Sequence, residues 1–220
     1  MHNAAFATLE LDWAYVPLPT PPEALGDVVR GLAASGFAGA NVTIPHKTAV
    51  LSLCDEVDET AAHAKSVNTL VFKDGRTLGS STDVVAVERA LGTASGRALV
   101  LGTGGSAKAA VAALERHGLD VTVATRRDPV WPPDAKEYAV VVNATPVKDE
   151  PLIEPVPSQL VIDLPYNPDG SDTALSAAGR AAGAQVVDGL QLLLLQGAAS
   201  FERWTGRQAP IEAMTAALPI

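Results

Sequence analysis

Residues 98–113 read ALVLGTGGSAKAAVAA. A short apolar run, 98–101, breaks into Gly102-Thr103-Gly104-Gly105-Ser106 and resumes as an alanine-rich, helix-prone stretch. Strand, glycine turn and helix in that order suit a dinucleotide. The glycines let backbone approach a pyrophosphate, and the N–H groups and dipole of the helix favour its negative charge. Read as G-x-G-x-x-[GA], Gly102 and Gly104 fit, and Ala107 takes the third, close-packing position. The pattern alone is equally that of an ordinary glycine-rich βα turn, but its surroundings say more. The spacing predicts a helix to about His117 that stops at Gly118, a left-handed stop signal. A second β-branched run at 120–124 then completes a βαβ unit of roughly 30 residues. It is followed by Thr125-Arg126-Arg127, with the first acid, Asp128, arriving only afterwards. An acid at that point would bind a ribose 2′-hydroxyl, whereas arginine accommodates a 2′-phosphate, so the segment reads as an NADP site. The competing reading is a pair of solvated loop arginines.

Working outward, 220 residues make one large domain or two small ones, and 47% hydrophobic residues supply ample core. The net charge of −9 argues against nucleic acid or an anionic membrane as partner. It leaves room for an anionic cofactor held by local arginines and helix ends. Cys54 is the one cysteine, which excludes an intramolecular disulfide and fits a reducing compartment. Among Leu51, Leu53 and Val57 it reads as a buried structural thiol. The chain opens with no leader pattern, and no apolar run approaches ~18 residues, so a soluble, cytoplasmic protein is expected. The four histidines pair with no cysteine or carboxylate at ligand spacing, and no metal is expected.

The first ninety residues read as a separate α/β unit. Residues 4–11 are helix-prone, 13–18 strand-like, and 23–34 an amphipathic helix with Leu25, Val28, Val29 and Leu32 on one face. A short strand is expected at 37–44, a helix from His46 or Lys47, and another over 61–65. Residues 67–72 and 76–81 flank Asp74-Gly75, a strong hairpin signal. That turn sets a register: Lys73 opposes Arg76, and stepping outward puts Asn68 opposite Ser81. Opposed side chains lie about 5 Å apart at Cβ, so Asn68 and Asp83 should meet at the open end of the hairpin. Beyond the glycine turn, 138–142 and 160–163 read as buried strands, with no regular crossover helix before Tyr138. The alternation implies a parallel sheet with ligands at the carboxyl ends of its strands.

Three blocks in the first unit, Asn41-Val42-Thr43-Ile44-Pro45-His46-Lys47, Val67-Asn68-Thr69 and Gly79-x-x-Thr82-Asp83, resemble the signature segments of shikimate dehydrogenases. The likeness continues through the glycine turn, Ala124-x-Arg126, Asn143-Ala144-Thr145-Pro146 and Asp163-Leu164-Pro165-Tyr166-Asn167-Pro168. It ends with Gly189-Leu190, Gln196 and Phe201-x-x-Trp204-Thr205-Gly206, and so covers essentially the whole chain. The resemblance implies NADP-linked interconversion of 3-dehydroshikimate and shikimate, in aromatic amino-acid (chorismate) biosynthesis. It implies a two-domain α/β enzyme: an N-terminal α/β substrate domain (1–86, N-terminally incomplete) and a Rossmann-like NADP-binding domain with a parallel sheet (87–187). C-terminal helices (188–220) would return to the first domain. Lys47 and Asp83 would form the catalytic pair. Thr43, Asn68, Asp83 and Gln196 would hold the substrate. Gly102, Gly104, Gly105, Ser106, Ala107, Thr125, Arg126, Arg127, Asn143, Thr145 and Gly189 would hold NADP. The partner is a small molecule, and the protein a monomer or homodimer.

The chemistry agrees with that set. Reducing a ring ketone needs a proton for the developing alkoxide, and a carboxylate beside Lys47 favours the ammonium that could give it. Taken alone, Lys47 reads as a solvated residue in the first turn of a helix, and it is the block around it that overturns this. Gln196, behind four leucines, either hydrogen-bonds in a cleft or sits on a narrow wet stripe. The chain also departs from the family pattern. Its Met1 falls inside the first block, so a leading strand and a Ser-x-Ser segment that would hold a carboxylate are expected to be missing. Ser81 stands where the family has asparagine, and Lys148 stands at a usual glycine. Three readings therefore compete: a shikimate dehydrogenase, a related dehydrogenase of quinate or another hydroxylated ring, and a non-catalytic nucleotide-binding relative.

Overall fold

In the computed structural model, which describes residues 1–218, helix α1 (His2–Thr8) buries Ala5 and Phe6. The Asn3 side chain then ties down the extended segment that follows, accepting from the Tyr15 amide at 2.6 Å and donating to its carbonyl at 3.0 Å. Residues 13–18, expected as a strand, join no sheet. Pro17 and Pro19 withhold ladder donors, and Asn3 satisfies the backbone in place of a neighbouring strand. A 3₁₀ turn (Pro22–Ala24) leads into α2 (Leu25–Ala34), whose Leu25 and Val29 pack with Val42, Val50, Val67 and Leu70.

Strand β1 is only Gly39–Asn41. The helix expected from residue 46 or 47 is instead a turn over 44–48, closed by the His46 amide on the Thr43 carbonyl at 2.8 Å, and then a 3₁₀ helix (Ala49–Leu53). Continuation as an α-helix is cut short because Asp55 pairs with β4: its amide donates to the Thr77 carbonyl (2.8 Å) and its carboxylate accepts from the Thr77 amide (2.7 Å). There follow β2 (Glu56–Val57) and α3 (Glu59–Ala64), which Asp58 caps by accepting from the Ala61 amide at 3.0 Å. The hairpin of β3 (Thr69–Lys73) and β4 (Arg76–Ser80) turns through Asp74 and Gly75, both with positive φ (51° and 72°), as a tight primed turn requires. Its register runs from Lys73 opposite Arg76 to Thr69 opposite Ser80, so the stepping argument holds, and the Asn68 amide continues it onto the Ser80 carbonyl at 3.1 Å. This sheet has the order β1-β3-β4-β2. Directly after the hairpin comes α4 (Thr82–Leu91), a helix not expected from the sequence.

The second sheet is wholly parallel. Its elements are β5 (Arg97–Leu101), α5 (Gly105–Arg116), β6 (Asp120–Ala124), β7 (Val140–Asn143), β8 (Leu160–Asp163), α6 (Ala174–Ala181) and β9 (Gln185–Val187). The order is β6-β5-β7-β8-β9, with every neighbour parallel. Leu99, Leu101, Val141, Val161 and Leu175 form its core. As expected, no helix links β6 to β7; buried Ala135 fills that place, and the Gln159 amide holds the connection through the carbonyls of Ala135 (2.6 Å) and Tyr138 (3.0 Å). That turn also delays β7 by two residues, because the Tyr138 amide is spent on the Ala135 carbonyl. Finally α7 (Gly189–Thr205) and α8 (Ile211–Ala216) close the chain, with Ala198, Phe201, Ala209 and Met214 packed around Ala5 and Phe6. Two units result: Met1–Val85 with Leu194–Leu218, and Ala86–Leu193. Among the described residues no helix is long and apolar enough to cross a membrane.

Candidate functional site

In the first unit, four separate segments deliver polar side chains to one cluster. Lys47 follows the turn after β1, Asn68 precedes β3, Asp83 opens α4, and Gln196 lies in α7. The Lys47 ammonium donates to Asp83 Oδ2 at 2.6 Å, with only 12% and 18% of the two side chains exposed. Asn68 Nδ2 donates to the other carboxylate oxygen at 2.9 Å and to Gln196 Oε1 at 3.4 Å. Asn68 is itself 3% exposed, and its Oδ1 accepts from the Thr82 amide at 2.7 Å and from the Thr82 and Thr69 hydroxyls. The Asn68 carbonyl edge is therefore spent on the scaffold, and its amide edge aims Asp83 at Lys47. A lysine clamped on one carboxylate oxygen, in a partly buried setting, can hand over or take up a proton at a fixed place.

Behind this cluster lies a set of hydroxyls that the sequence reading missed. Ser200 Oγ lies 2.9 Å from Thr69 Oγ1 and 3.1 Å from Thr82 Oγ1, and accepts from Asn41 Nδ2 at 2.9 Å. The available signal was helical spacing, since Ser200 falls four residues after Gln196 and so on the same face. Ser81, by contrast, is buried, and its hydroxyl has no hydrogen-bond partner among the described residues. Thr43 follows Val42, whose amide donates to the Asn68 carbonyl at 2.8 Å, and so enters beside the cluster's backbone. It is exposed, and it lines an apolar cavity of about 620 Å³ with Val16, Leu18, Phe37 and Ile44, which none of Lys47, Asn68, Asp83 or Gln196 lines. Cys54 is half-buried rather than buried, and desolvation, reinforced by the Asp55 charge, pushes its thiol up to about 11, away from the thiolate form that reacts.

In the second unit the strand order reverses between β5 and β7, the point where ligands of doubly wound sheets bind. Two loops meet there. Gly102, at φ +113°, follows β5, and a Cβ on it would come within 3.0 Å of the Ala144 carbonyl oxygen and 3.5 Å of Thr145 Cγ2. The Asn143–Thr145 segment follows β7 and is pinned by its own asparagine: Asn143 Oδ1 accepts from the Thr145 amide (3.0 Å) and hydroxyl (2.7 Å). Beside them Gly104 is the N-cap of the 12-residue α5, with no side-chain cap, no acid in the first turn, and open space where a Cβ would stand. Ala107 is buried beneath. This cradle of amides and small residues fits a pyrophosphate.

At the end of β6, Asp128 turns back to cap the Thr125 amide at 2.6 Å, and the Arg127 amide donates to the Thr125 hydroxyl at 3.2 Å. The first acid is thus occupied with its own turn. Arg126 is exposed, its nearest carboxylate, Glu150, 4.0 Å away. Gly189 opens α7 where a Cβ would collide with the carbonyls of Leu164 (2.4 Å) and Pro165 (2.6 Å) after β8. Among the described residues there is no cluster of histidine, cysteine and carboxylate side chains that could hold a metal.

Fold and site define a two-unit α/β protein, with a Rossmann-like nucleotide fold in one unit and a lysine–carboxylate–amide cluster in the other. Residues 1–70 match the model of the shikimate dehydrogenase substrate binding domain, and residues 189–218 that of the shikimate 5′-dehydrogenase C-terminal domain. The NADP(+) shikimate dehydrogenase of Methanothermobacter thermautotrophicus is 38% identical, over 99% of this chain and 89% of that protein. The crystal structure of shikimate 5-dehydrogenase from Thermus thermophilus, in complex with NADP(H) and shikimate, superposes with a TM-score of 0.86 at 33% identity, covering 98% of this chain and 91% of that one. The ligand-free 5-ketofructose reductase of a Gluconobacter species gives a TM-score of 0.85 at 25% identity, covering 97% and 90%. The chain belongs to the shikimate dehydrogenase family.

Proposed function

We propose that this protein is an NADP-dependent oxidoreductase that interconverts 3-dehydroshikimate and shikimate, a step of aromatic amino-acid biosynthesis. The observation that carries the reading is the Lys47–Asp83–Asn68–Gln196 cluster, assembled in a chain of this family. The relatives' named activity and the complex with NADP(H) and shikimate support the substrate and the cofactor. NADPH, when bound, supplies a hydride to the ring carbonyl carbon.

The chain's own residues supply the rest. The Lys47 ammonium gives a proton to the oxygen as it becomes an alkoxide, and solvent restores that proton afterwards. Asp83 holds the ammonium in place, Asn68 holds Asp83, and Thr43, Asn68, Asp83 and Gln196 offer hydrogen bonds to substrate hydroxyls. In the second unit Gly102, Gly104, Gly105, Ser106 and Ala107 form the phosphate cradle. Thr125, Arg126 and Arg127 take the 2′-phosphate, and Asn143, Thr145 and Gly189 line the remainder. Residues 1–86 serve as the substrate domain, 87–187 as the dinucleotide domain and 188–220 as the returning segment, of which 219–220 lie outside the described residues. A cytoplasmic location and a monomer or homodimer are part of the same proposal, the location supported by the reducing compartment that Cys54, as the one cysteine, fits.

A second reading, reduction of a different polyhydroxylated ketone, is favoured by one observation, the likeness to 5-ketofructose reductase. The test is NADPH oxidation followed with 3-dehydroshikimate, with the 3-dehydroquinate and 5-ketofructose controls run beside it. A kcat/KM for 3-dehydroshikimate at least tenfold above the others supports the first reading. A reversed order moves the protein to the second, and no turnover with any of them makes it a nucleotide-binding relative without this chemistry.

A further inference from the structure

Asp163 ends β8 with its side chain fully buried, yet no hydride or proton transfer requires it. Its Oδ2 accepts from the hydroxyls of Thr173 and Ser176, at the start of α6, the latter at 3.0 Å. Its Oδ1 accepts from Asn143 Nδ2 at 2.8 Å. Asn143 is also completely buried and uses its full hydrogen-bonding capacity. Its two N–H donors go to Asp163 and to the Val147 carbonyl (3.3 Å), and its oxygen accepts twice from Thr145. An acceptor-only carboxylate on one side leaves the asparagine a single satisfied orientation. Turned over, its NH₂ would face the Thr145 amide, donor against donor. Thr145, held this way, stands against Gly102 at the mouth of the second sheet.

We infer that Asp163 is a positioning residue for the cofactor: from its anchor on α6 it sets the Asn143 amide, and through it the Asn143–Thr145 loop that closes against the glycine turn. The inference rests on the reading of the second unit as the NADP-binding one. A purely stabilising role fits Asp163 poorly. Burial raises its pKa against the pull of the Thr173, Asn143 and Ser176 hydrogen bonds, so the ionised group costs folding stability at neutral pH.

The experiment measures NADPH dissociation constants by fluorescence, shikimate KM at saturating NADP, and exchange protection of the Thr145 amide. The proteins are the unaltered enzyme, Asp163→Ala, Asp163→Asn and Ser176→Ala. The unaltered enzyme comes first: no NADPH binding there overturns the cofactor reading itself, and the inference with it. Given binding, Asp163→Ala should raise the NADPH Kd about tenfold or more and strip protection from the Thr145 amide, while shikimate KM stays within about twofold. Asp163→Asn keeps an acceptor for Asn143 and should restore Kd to within about threefold. Ser176→Ala, which keeps the carboxylate but loosens its anchor, should fall between the two, and it carries the test if Asp163→Ala does not fold. Unchanged NADPH affinity in Asp163→Ala and Ser176→Ala overturns the inference. So does a parallel loss of NADPH and shikimate affinity, which would mark general unfolding.

Discussion

The two functional regions are built on opposite plans. The cluster of the first unit is made of long side chains, Lys47, Asn68, Asp83 and Gln196, drawn from positions as much as 149 residues apart and aligned by one another. The mouth of the second unit is made mostly of backbone and of absent side chains: Gly102 where a Cβ would touch Ala144, Gly104 with open space, and an uncapped helix end. The first plan concentrates function in single groups that have no substitute. The second spreads it over amides that any residue carries, and leaves to side chains only the choice of cofactor and the shape of a loop. Substitutions should therefore hit the two regions differently.

The largest effect is expected at Lys47. Lys47→Ala removes the proposed proton donor and should lower kcat by about 10²–10⁴-fold, the usual scale of general acid–base catalysis. Steady-state NADPH oxidation checks this, and turnover within tenfold of the unaltered protein would reduce Lys47 to one half of a structural ion pair.

Acid should separate the two units next. His2 is buried against Tyr15 and Trp204, and desolvation, assisted by the amino-terminal charge, lowers its pKa from 6.5 to about 4. Unfolded chain thus takes up a proton below pH 6.5 that the folded unit refuses, so this contribution is present above 6.5 and lost as pH falls to about 4. The loss is roughly 3 kcal/mol, at about 1.4 kcal/mol per unit. Asp163 has the opposite sign: its raised pKa favours folding most below its unfolded value of 3.8, and that benefit fades as pH rises through the folded value. Urea unfolding from pH 7 to 4 should show the His2→Phe variant losing less stability than the unaltered chain. Identical pH slopes would show that His2 protonates without cost.

Smaller effects belong to the cofactor and to Thr43. Arg126→Ala should erase most of a preference for NADPH over NADH, about 10- to 100-fold for one charge-assisted contact. Equal affinity for both cofactors in the unaltered protein would remove the premise. Thr43→Ala should be smallest, since Thr43 can offer the substrate only one neutral hydroxyl. A shikimate KM raised by less than about fivefold is expected, the scale of one neutral hydrogen bond. A larger rise would show that Thr43 contributes more than one neutral hydrogen bond.

The two plans also explain what could be read in the sequence. The second unit's turn is contiguous, so Gly102-x-Gly104 and the strands at 120–124 and 160–163 announced themselves through glycine and β-branched runs. The hairpin gave the Asn68–Asp83 meeting because Asp74-Gly75 admits one register. Where reading failed, tertiary pairing decided. Residues 13–18 carry strand propensity, but Asn3 and two prolines withdraw their backbone from any sheet. The helix at 46–53 yields to the Asp55–Thr77 pairing downstream. The relays through Ser200 and Asp163 join positions 131 and 20 residues from their partners Thr69 and Asn143, and no local pattern marks them.

The central claim is that proton transfer resides in the first unit and cofactor choice in the second. It is tested most directly by one crossed measurement: kcat for NADPH-dependent reduction of 3-dehydroshikimate, and the NADPH Kd, on Lys47→Ala and Arg126→Ala side by side. The account predicts that Lys47→Ala loses turnover with its Kd within about twofold of the unaltered value. Arg126→Ala should weaken NADPH by about 10- to 100-fold with kcat at saturation largely kept. If both variants lose turnover and NADPH affinity together, the two regions do not divide the work and the account is contradicted.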